Sequence, residues 1–350
     1  MTILSSLYGR ATSLRRSWYA GDRSRSRRLR QPVISVGNLA LGGSGKTPVV
    51  ATLARMLVAA GERPSILSRG YRRPDSSRRV VMVSDGHTVL ATAEQSGDEP
   101  FMLARTLAGT AILVSHDRHA AGTLAETRLG CTVHILDDGF QHVQLARDVN
   151  LLVAAKGDLG DRVVPSGTLR EPVSAARAAD AVLVEGTDDD LQAVASGFGV
   201  RTTFCLTRRF HPARRLAPDA GVGPRAGAVA PTRAIAVAAI ARPERFFAAL
   251  RDQGWDIARE FVFHDHHWFS ATDVRTIEQA ARDAGVDVVM TTEKDAVRLE
   301  ALVAPSPTWA VLPVEAVIDD RFAPWLAGRL AAARRQRGEP APSTRSGPGA

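Results

Sequence analysis

A glycine-rich segment that ends in a lysine and a threonine is the part of this sequence best suited to phosphate chemistry. Residues 33–48 read VISVGNLALGGSGKTP, so an apolar stretch runs into glycines and then into the lysine and the threonine. Glycines let backbone N–H groups curl around phosphate oxygens, and the start of a helix adds partial positive charge. The lysine of such a loop reaches the β and γ phosphates, and the threonine binds Mg²⁺. We therefore predict a phosphate loop for ATP and Mg²⁺, formed by Gly42, Gly43, Ser44, Gly45, Lys46 and Thr47.

Two details of composition bear on this loop. The usual pattern has glycine at position 40, where this chain has Ala40, and we expect Gly42 and Gly43 to compensate. Lysine is also scarce, with three lysines beside 42 arginines. Because arginine replaces lysine almost everywhere, the lysines that remain in motif-like strings, Lys46 and Lys294, deserve a chemical explanation.

A second apolar run ends in two acids that could hold the metal ion. Residues 133–139 read VHILDDG, which predicts a buried strand followed by Asp137 and Asp138. Adjacent side chains on a strand point to opposite faces, so one of the two is expected to contact the ion directly. The sequence leaves open which one.

The charge of the chain is concentrated at its ends. The formal net charge is +8, of which residues 1–30 carry +7 and residues 331–350 carry +3, so the remainder is −2. This balance argues against a nucleic-acid partner and for a local contact with something anionic. The two cysteines, Cys131 and Cys205, are too few for a disulfide framework and favour a reduced, cytosolic setting.

The N-terminal segment has the pattern of a helix that lies on a membrane surface. No stretch approaches the roughly 20 apolar residues that a membrane span needs, and there is no signal peptide. Apolar residues instead recur at helical spacing, and an arginine-rich stretch follows at 23–30. An ordinary helix packed on the domain is the alternative. The apolar positions are Ile3, Leu4, Leu7, Tyr8, Ala11, Leu14 and Trp18.

Beyond residue 30 the chain alternates apolar runs with helical segments, which predicts an α/β protein built on a parallel sheet. A stretch rich in arginine, proline and glycine interrupts this pattern, and a second, smaller α/β unit follows it. The predicted organisation is a basic amphipathic segment at 1–30, a P-loop domain at 31–205, a linker at 206–232, a second α/β domain at 233–337 and a disordered tail at 338–350.

Several short strings, taken in order, resemble one known family. Together with residues 36–48, they are similar to the tetraacyldisaccharide 4′-kinases, the kinases of lipid A biosynthesis. Single strings are weak signals, but their common order makes the resemblance specific, and Ala40 matches a loop variant of that family. The strings are SRGY at 68–71, GDEP at 97–100, DDGFQH at 137–142, LARD at 145–148, PSGTLRE at 165–171, FHDHH at 263–267 and TTEKDA at 291–296.

The resemblance implies transfer of a phosphoryl group from MgATP to the 4′-hydroxyl of a tetraacyldisaccharide 1-phosphate. It also implies a location at the cytoplasmic face of the bacterial inner membrane, peripheral or monotopic, with no obligate protein partner evident. By resemblance, Asp98 is the catalytic base and His266 its partner, with His267 as the fallback. It implies further that Lys46 neutralises developing charge, that Thr47, Asp137, Asp138 and Glu99 surround the metal, and that Arg118, Gln141, His142, Arg170 and Glu171 face the substrate.

Other interpretations stay open at this point. A P-loop switch or partitioning ATPase at the membrane would need neither Asp98 nor His266, and a kinase for a soluble acceptor would not need residues 1–30. The string AKGD at 155–158 lacks the asparagine of a guanine-binding motif. The histidines at 264, 266 and 267 do not have typical zinc spacing. Lys294 could pair with Glu293 or Asp295 across a domain contact instead of serving the reaction.

Overall fold

The fold consists of two β-sheets with helices packed on them. A computed structural model describes residues 3–43, 45–71, 79–216 and 227–338. Ser44 of the predicted phosphate loop, part of the predicted linker and nearly all of the predicted C-terminal tail lie outside these described residues.

The elements follow one another along the chain in an α/β order. The helices are α1 Ile3–Ala20, α2 Lys46–Ala59, α3 Ala93–Ser96, α4 Asp98–Thr106, α5 Arg118–Leu129, α6 Asp188–Phe198, α7 Pro243–Asp252, α8 Ala271–Asp283, α9 Glu293–Leu299 and α10 Phe322–Arg337. The strands are β1 Val33–Gly37, β2 Pro64–Ser68, β3 Val81–Asp85, β4 Ala111–Val114, β5 Val133–Asp137, β6 Val149–Ala155, β7 Ala181–Glu185, β8 Thr203–Phe210, β9 Ala213–Arg215, β10 Ala228–Val229, β11 Arg233–Ala238, β12 Asp256–Val262, β13 Val288–Thr291, β14 Thr308–Val311 and β15 Val314–Ile318.

The first sheet has nine strands in the order β15-β8-β7-β6-β1-β5-β2-β4-β3. Its interior is parallel, as the apolar runs predict, because strands buried on both faces read as continuous apolar stretches. The two edge strands, β3 and β15, are antiparallel to their neighbours, which the sequence pattern did not indicate.

The second sheet has six strands in the order β10-β9-β14-β13-β11-β12, and its four longer strands are parallel. We call residues 213–312 the second unit, and the described residues before and after it the first unit. The structure corrects the predicted boundaries at 206–232 and 233–337. The predicted linker contains the end of β8, which extends to Phe210, and the short strands β9 and β10. The predicted second domain ends too late, because β15 pairs with β8 of the first sheet and α10 packs in the core of the first unit.

The return of the chain to the first unit has a packing cause. Phe322 of α10 is fully buried, and its ring lies 5.2 Å from the ring of Phe204 on β8. Leu326 and Leu330 follow at helical spacing and join the same core. The C-terminal arginines are also tied down, since Arg334 pairs with Glu62 at 2.8 Å and Arg337 with Asp148 at 2.7 Å.

Helix α1 forms where the apolar periodicity predicts it, but it turns its small residues toward the protein. Ser5 donates a hydrogen bond to Ser166 at 2.7 Å, and Gly9 packs on Pro172. Arg27 and Arg28 pair with acids of the first unit, so part of the stretch at 23–30 is not a free basic extension. Within the described residues, no helix has the length and apolar content to cross a bilayer. The exposed apolar residues of α1 are Ile3, Leu4, Leu7, Tyr8, Leu14 and Trp18.

The end of β1 requires a glycine, which gives a test of the packing at the center of the sheet. A Cβ at Gly37 would lie 2.4 Å from Cβ of Phe140, so Gly37→Ala must push the loop after β5 away. We expect the free energy of unfolding to fall by about 2 kcal/mol or more, because overpacking of a buried site costs about 1–3 kcal/mol.

The matched control is Gly328→Ala on the exposed side of α10, where a Cβ meets nothing within 4 Å. There alanine should stabilise by about 0.5–1 kcal/mol. Thermal unfolding of both variants gives the comparison, and equal melting temperatures would contradict it.

Candidate active site

The site lies where the carboxyl ends of the two sheets meet. From the first unit it receives the loop after β1, the acids after β5 and the start of α4; from the second it receives the loop after β12 and the start of α9. Carboxyl ends of parallel strands are where open α/β sheets bind ligands, because helix starts and loop amides converge there. The sequence predicted both sets of residues, and the structure brings them into contact.

The predicted phosphate loop leads directly into a helix. Gly45 has φ +77°, a conformation that suits glycine, and α2 begins at Lys46. The ammonium of Lys46 donates to Oδ1 of Asn38 at 2.8 Å and pairs with Asp138 at 3.3 Å. Asn38 in turn donates to the carbonyl of Ala40 at 2.7 Å, so it braces the part of the loop that lacks the usual glycine.

The two acids after β5 have different surroundings. Asp138 has φ +51° and pairs with Arg170 at 2.6 Å in addition to Lys46. Asp137 is buried and accepts a hydrogen bond from Ser68 at 3.2 Å. Burial and the nearby charges of Glu99 and Asp138 raise the pKa of Asp137 to about 7. Asp138 is thus already neutralised by two cations, whereas Asp137 faces further carboxylates.

The oxygen atoms around the start of α2 fit a magnesium ion. The hydroxyl of Thr47 donates to Oε2 of Glu99 at 3.4 Å, and Asp137 lies near enough to Glu99 for their charges to interact. Mg²⁺ prefers such hard oxygen ligands and is commonly held by one or two carboxylates together with phosphates. Within the described residues, no cluster of three or more His, Cys, Asp or Glu side chains is arranged to hold a metal ion without further ligands.

Asp98 and His266 form a hydrogen bond across the two units. Nδ1 of His266 lies 2.9 Å from Oδ2 of Asp98, and both side chains are largely buried. Burial opposes ionisation of Asp98, but the hydrogen bond from His266 and the charges of Lys294 and Arg298 outweigh it and lower the pKa of Asp98. This carboxylate therefore stays ionised at neutral pH.

Backbone strain occurs at the same place. Among the described residues, Asp138 and His266 are the non-glycine residues with positive φ, at +51° and +62°. Such conformations are uncommon for residues with a Cβ and are maintained when the surrounding structure demands them, often at functional sites. That both lie in this cleft supports its functional role independently of any motif.

The neighbouring histidines lie apart from Asp98. His267, the fallback partner, pairs with Asp273 at 3.1 Å and stacks on Phe263 with ring centroids 4.8 Å apart. The ring of His264 lies 4.7 Å from that of His267. The structure therefore separates the roles of the two candidates and gives Asp98 to His266.

The predicted substrate residues fall into two groups. Arg118 is buried, and burial and the charge of Arg69 lower its pKa to about 10. His142 beside it has a pKa lowered to about 3 by burial and by arginines, so it is neutral. Gln141 is turned toward the phosphate loop and donates to the carbonyl of Asn38 at 3.0 Å.

The other two predicted substrate residues are engaged within the protein. Arg170 holds Asp138, as described above. Glu171 is buried and accepts from Arg16 of α1 at 2.6 Å, and the same guanidinium donates to the carbonyl of Phe140. Glu171 therefore ties α1 to the first unit, and its predicted contact with substrate stays a prediction.

Sequence reasoning gave no role to four residues that the geometry brings into or beside the site. Asn38 holds Lys46, Arg16 holds Glu171, Lys294 contacts Glu99 and Arg298 contacts Asp98. For Lys294 a signal existed in the rarity of lysine, but no pattern indicated its contacts across the two units. For Asn38 the signal was its place inside the glycine-rich segment.

A P-loop that faces a carboxylate paired with histidine defines a phosphotransferase of the P-loop class. The family model described as tetraacyldisaccharide-1-P 4′-kinase matches residues 1–331. The chain belongs to this family of kinases.

Individual relatives agree with the family assignment. The tetraacyldisaccharide 4′-kinase of Geobacter sulfurreducens is 42% identical over 323 residues, covering 91% of this chain and 87% of its own. That of Geobacter metallireducens is 41% identical over 302 residues, covering 85% of this chain and 88% of its own. The crystal structure of LpxK from Aquifex aeolicus in complex with ATP aligns with a TM-score of 0.72 at 29% identity, covering 93% of this chain and 97% of that one.

The ion pair between Arg16 and Glu171, which we call the clasp, gives a test of how α1 is held on the first unit. In Arg16→Met the buried Glu171 loses its cation and α1 loses its anchor, so we expect amide hydrogen exchange in α1 to accelerate about 10-fold or more, because breaking a buried ion pair costs about 3–5 kcal/mol. Arg10→Met changes an exposed arginine of the same helix and is the matched control. Hydrogen exchange read by mass spectrometry compares the two variants. Equal protection of α1 in both would show that the clasp does not hold the helix.

Proposed function

We propose that this protein transfers the γ-phosphoryl group of ATP to the 4′-hydroxyl of a tetraacyldisaccharide 1-phosphate, with Asp98 receiving the hydroxyl proton and His266 orienting Asp98. The observation that carries the assignment of the residues is the 2.9 Å hydrogen bond between Asp98 and His266 at the mouth of the phosphate loop. The activity follows from membership of the family, and the residue roles are our own assignment.

A sugar hydroxyl is a weak nucleophile, so a base positioned beside it accelerates attack by about 10²–10⁴-fold. Asp98 suits this task, because it is ionised and because His266 fixes its orientation. Lys46 is held by Asn38 at the start of α2, where its charge can stabilise the phosphoryl group during transfer.

We propose that Thr47, Asp137 and Glu99 hold the magnesium ion, while Asp138 orients Lys46 and Arg170. Asp138 is already paired with those two cations, whereas Asp137 is a buried carboxylate whose pKa is raised by burial and then by the charges of Glu99 and Asp138. Bound Mg²⁺ would supply the charge neutralisation that phosphoryl transfer requires. Of the arginines, Arg118 is the one we assign to an anionic group of the substrates.

Because Asp98 and His266 belong to different units, we propose that relative movement of the units opens and closes this cleft. A closed cleft excludes water, which otherwise competes with the sugar hydroxyl. In this proposal the closed arrangement is the one in which the two residues are hydrogen-bonded, 2.9 Å apart.

We propose further that the protein works at the cytoplasmic face of the inner membrane, as a peripheral or monotopic protein. The supporting observation is that α1 exposes apolar side chains on one side while Arg16 anchors it on the other. An acylated, anionic substrate requires such a surface, since apolar burial and basic side chains together bind anionic lipid.

The two adjacent histidines give a matched test of the catalytic assignment. With tetraacyldisaccharide 1-phosphate in detergent and γ-labelled MgATP, we expect His266→Asn and Asp98→Asn to lose about 10²-fold or more in lipid labelling. His267→Asn should stay within about threefold of the unchanged protein, since His267 pairs with Asp273. Lys46→Met should lose transfer as well.

Three results would contradict these proposals. Equal losses in the two histidine variants would remove the assignment of His266. ATP hydrolysis comparable with lipid labelling would oppose the closed cleft. An absence of lipid labelling by the unchanged protein, with ATP binding intact, would favour a membrane-associated ATPase switch.

The exposed face of α1 gives a separate test. The double variant Leu4→Gln and Leu7→Gln removes apolar area from that face, so its partition onto vesicles containing anionic phospholipid should fall by about 10-fold or more. Leu90→Gln, at an exposed leucine outside α1, is the control and should leave binding unchanged. Vesicle flotation measures both. Undiminished binding of the double variant would contradict a membrane role for α1.

A further inference from the structure

Lys294 lies at the center of the contact between the two units. It is the second residue of α9, and its ammonium reaches Oε1 of Glu99 at 3.0 Å, Oδ1 of Asp265 at 3.1 Å and Nε2 of His266 at 3.2 Å. Glu99 belongs to the first unit, and its other oxygen accepts from Thr47. One lysine thus connects the second unit to the phosphate loop and to the partner of Asp98.

The contact with His266 favours one position for the imidazole proton. A lysine ammonium has donors and no acceptor, so a hydrogen bond between the two groups uses the lone pair of Nε2 of His266. A neutral imidazole then carries its proton on Nδ1. Nδ1 lies 2.9 Å from Oδ2 of Asp98, and a donor at that position requires Asp98 to accept.

Lys294 is well placed to impose this arrangement because its helix is fixed. Thr292 caps the start of α9 by accepting from the amide of Asp295 at 3.1 Å. Asp295 is fully buried and accepts from the amide of Ala239 at 2.9 Å, next to the end of β11. Helix α9 also packs against α4, which carries Asp98 and Glu99 at its start.

We propose that Lys294 is a positioning residue that holds His266 in the tautomer protonated on Nδ1, so that Asp98 is kept as a proton acceptor facing the phosphate loop. The proposal builds on the proposed roles of Asp98 and His266. It predicts that removal of the ammonium, with the side-chain stem preserved, releases Nε2 and slows proton acceptance without weakening ATP binding.

The tautomer can be measured directly, without any lipid substrate. In protein labelled with ¹⁵N-histidine, long-range ¹H–¹⁵N correlation spectra distinguish a proton on Nδ1 from one on Nε2, and the His266 signal is the one missing in His266→Asn. We expect Nδ1–H in the unchanged protein and a shift of the proton toward Nε2, or exchange between the two nitrogens, in Lys294→Met. A proton on Nε2 in the unchanged protein would overturn the proposal, whether or not the variant folds.

Kinetics give the second readout. In the lipid kinase assay Lys294→Met should lower kcat by about 10²-fold, within the range of a lost general base, with KM for ATP within about threefold. Lys156→Met is the matched control, since Lys156 is exposed and pairs with Asp190 on α6.

A raised KM for ATP with unchanged kcat in Lys294→Met would mean that Lys294 contacts the nucleotide, and would overturn the proposal. The proposal would also be overturned if Lys294→Met kept both the Nδ1–H tautomer of His266 and the kcat of the unchanged protein. The spectra need no lipid substrate, so they test the role of Lys294 even if the protein fails to phosphorylate the lipid. Failure of this proposal and failure of the proposed function are therefore distinguishable.

Discussion

The hydrogen bond between Asp98 and His266 is the interaction on which the site depends, because it joins residues of two separate sheets. Burial opposes ionisation of Asp98, and the hydrogen bond from His266 is one of the interactions that keep it ionised, with the charges of Lys294 and Arg298. His266 has φ +62°, an uncommon conformation for a residue with a Cβ. The two units approach closely here, since α4 and α9 both begin beside this contact and the loop after β12 carries His266.

The distribution of charge explains how so many ionised groups can lie together. Lys46 and Arg170 neutralise Asp138, while Lys294 and Arg298 face Asp98 and its neighbours. Asp137 is the exception, since Glu99 and Asp138 add to its negative surroundings. A cation bound beside Asp137 would complete the pattern, which is the electrostatic reason to expect magnesium there.

Local sequence signals were sufficient for the parts of the fold that are encoded locally. The phosphate loop, the interior parallel strands and helix α1 each have a periodic or compositional pattern, and each forms within a few residues of its predicted place. The boundary of the second unit was wrong because β15 and α10 return to the first sheet through Phe322 and Phe204, a contact between distant positions that no local pattern contains. The contacts of Glu171 and Lys294 could not be predicted, for the same reason. Their partners, Arg16 and Glu99, lie far away in the sequence.

The clasp between Arg16 and Glu171 connects helix α1 to residues beside the phosphate loop. The same arginine binds the carbonyl of Phe140, whose backbone packs on Gly37, and Gln141 next to it contacts Asn38, which holds Lys46. A displacement of α1 would thus reach the phosphate loop through contacts between buried groups that cannot yield without losing a partner. Ordering of α1 would stabilise the loop in turn, since coupling between two sites acts in both directions. The helix is in this sense coupled to the phosphate loop by contacts within the first unit.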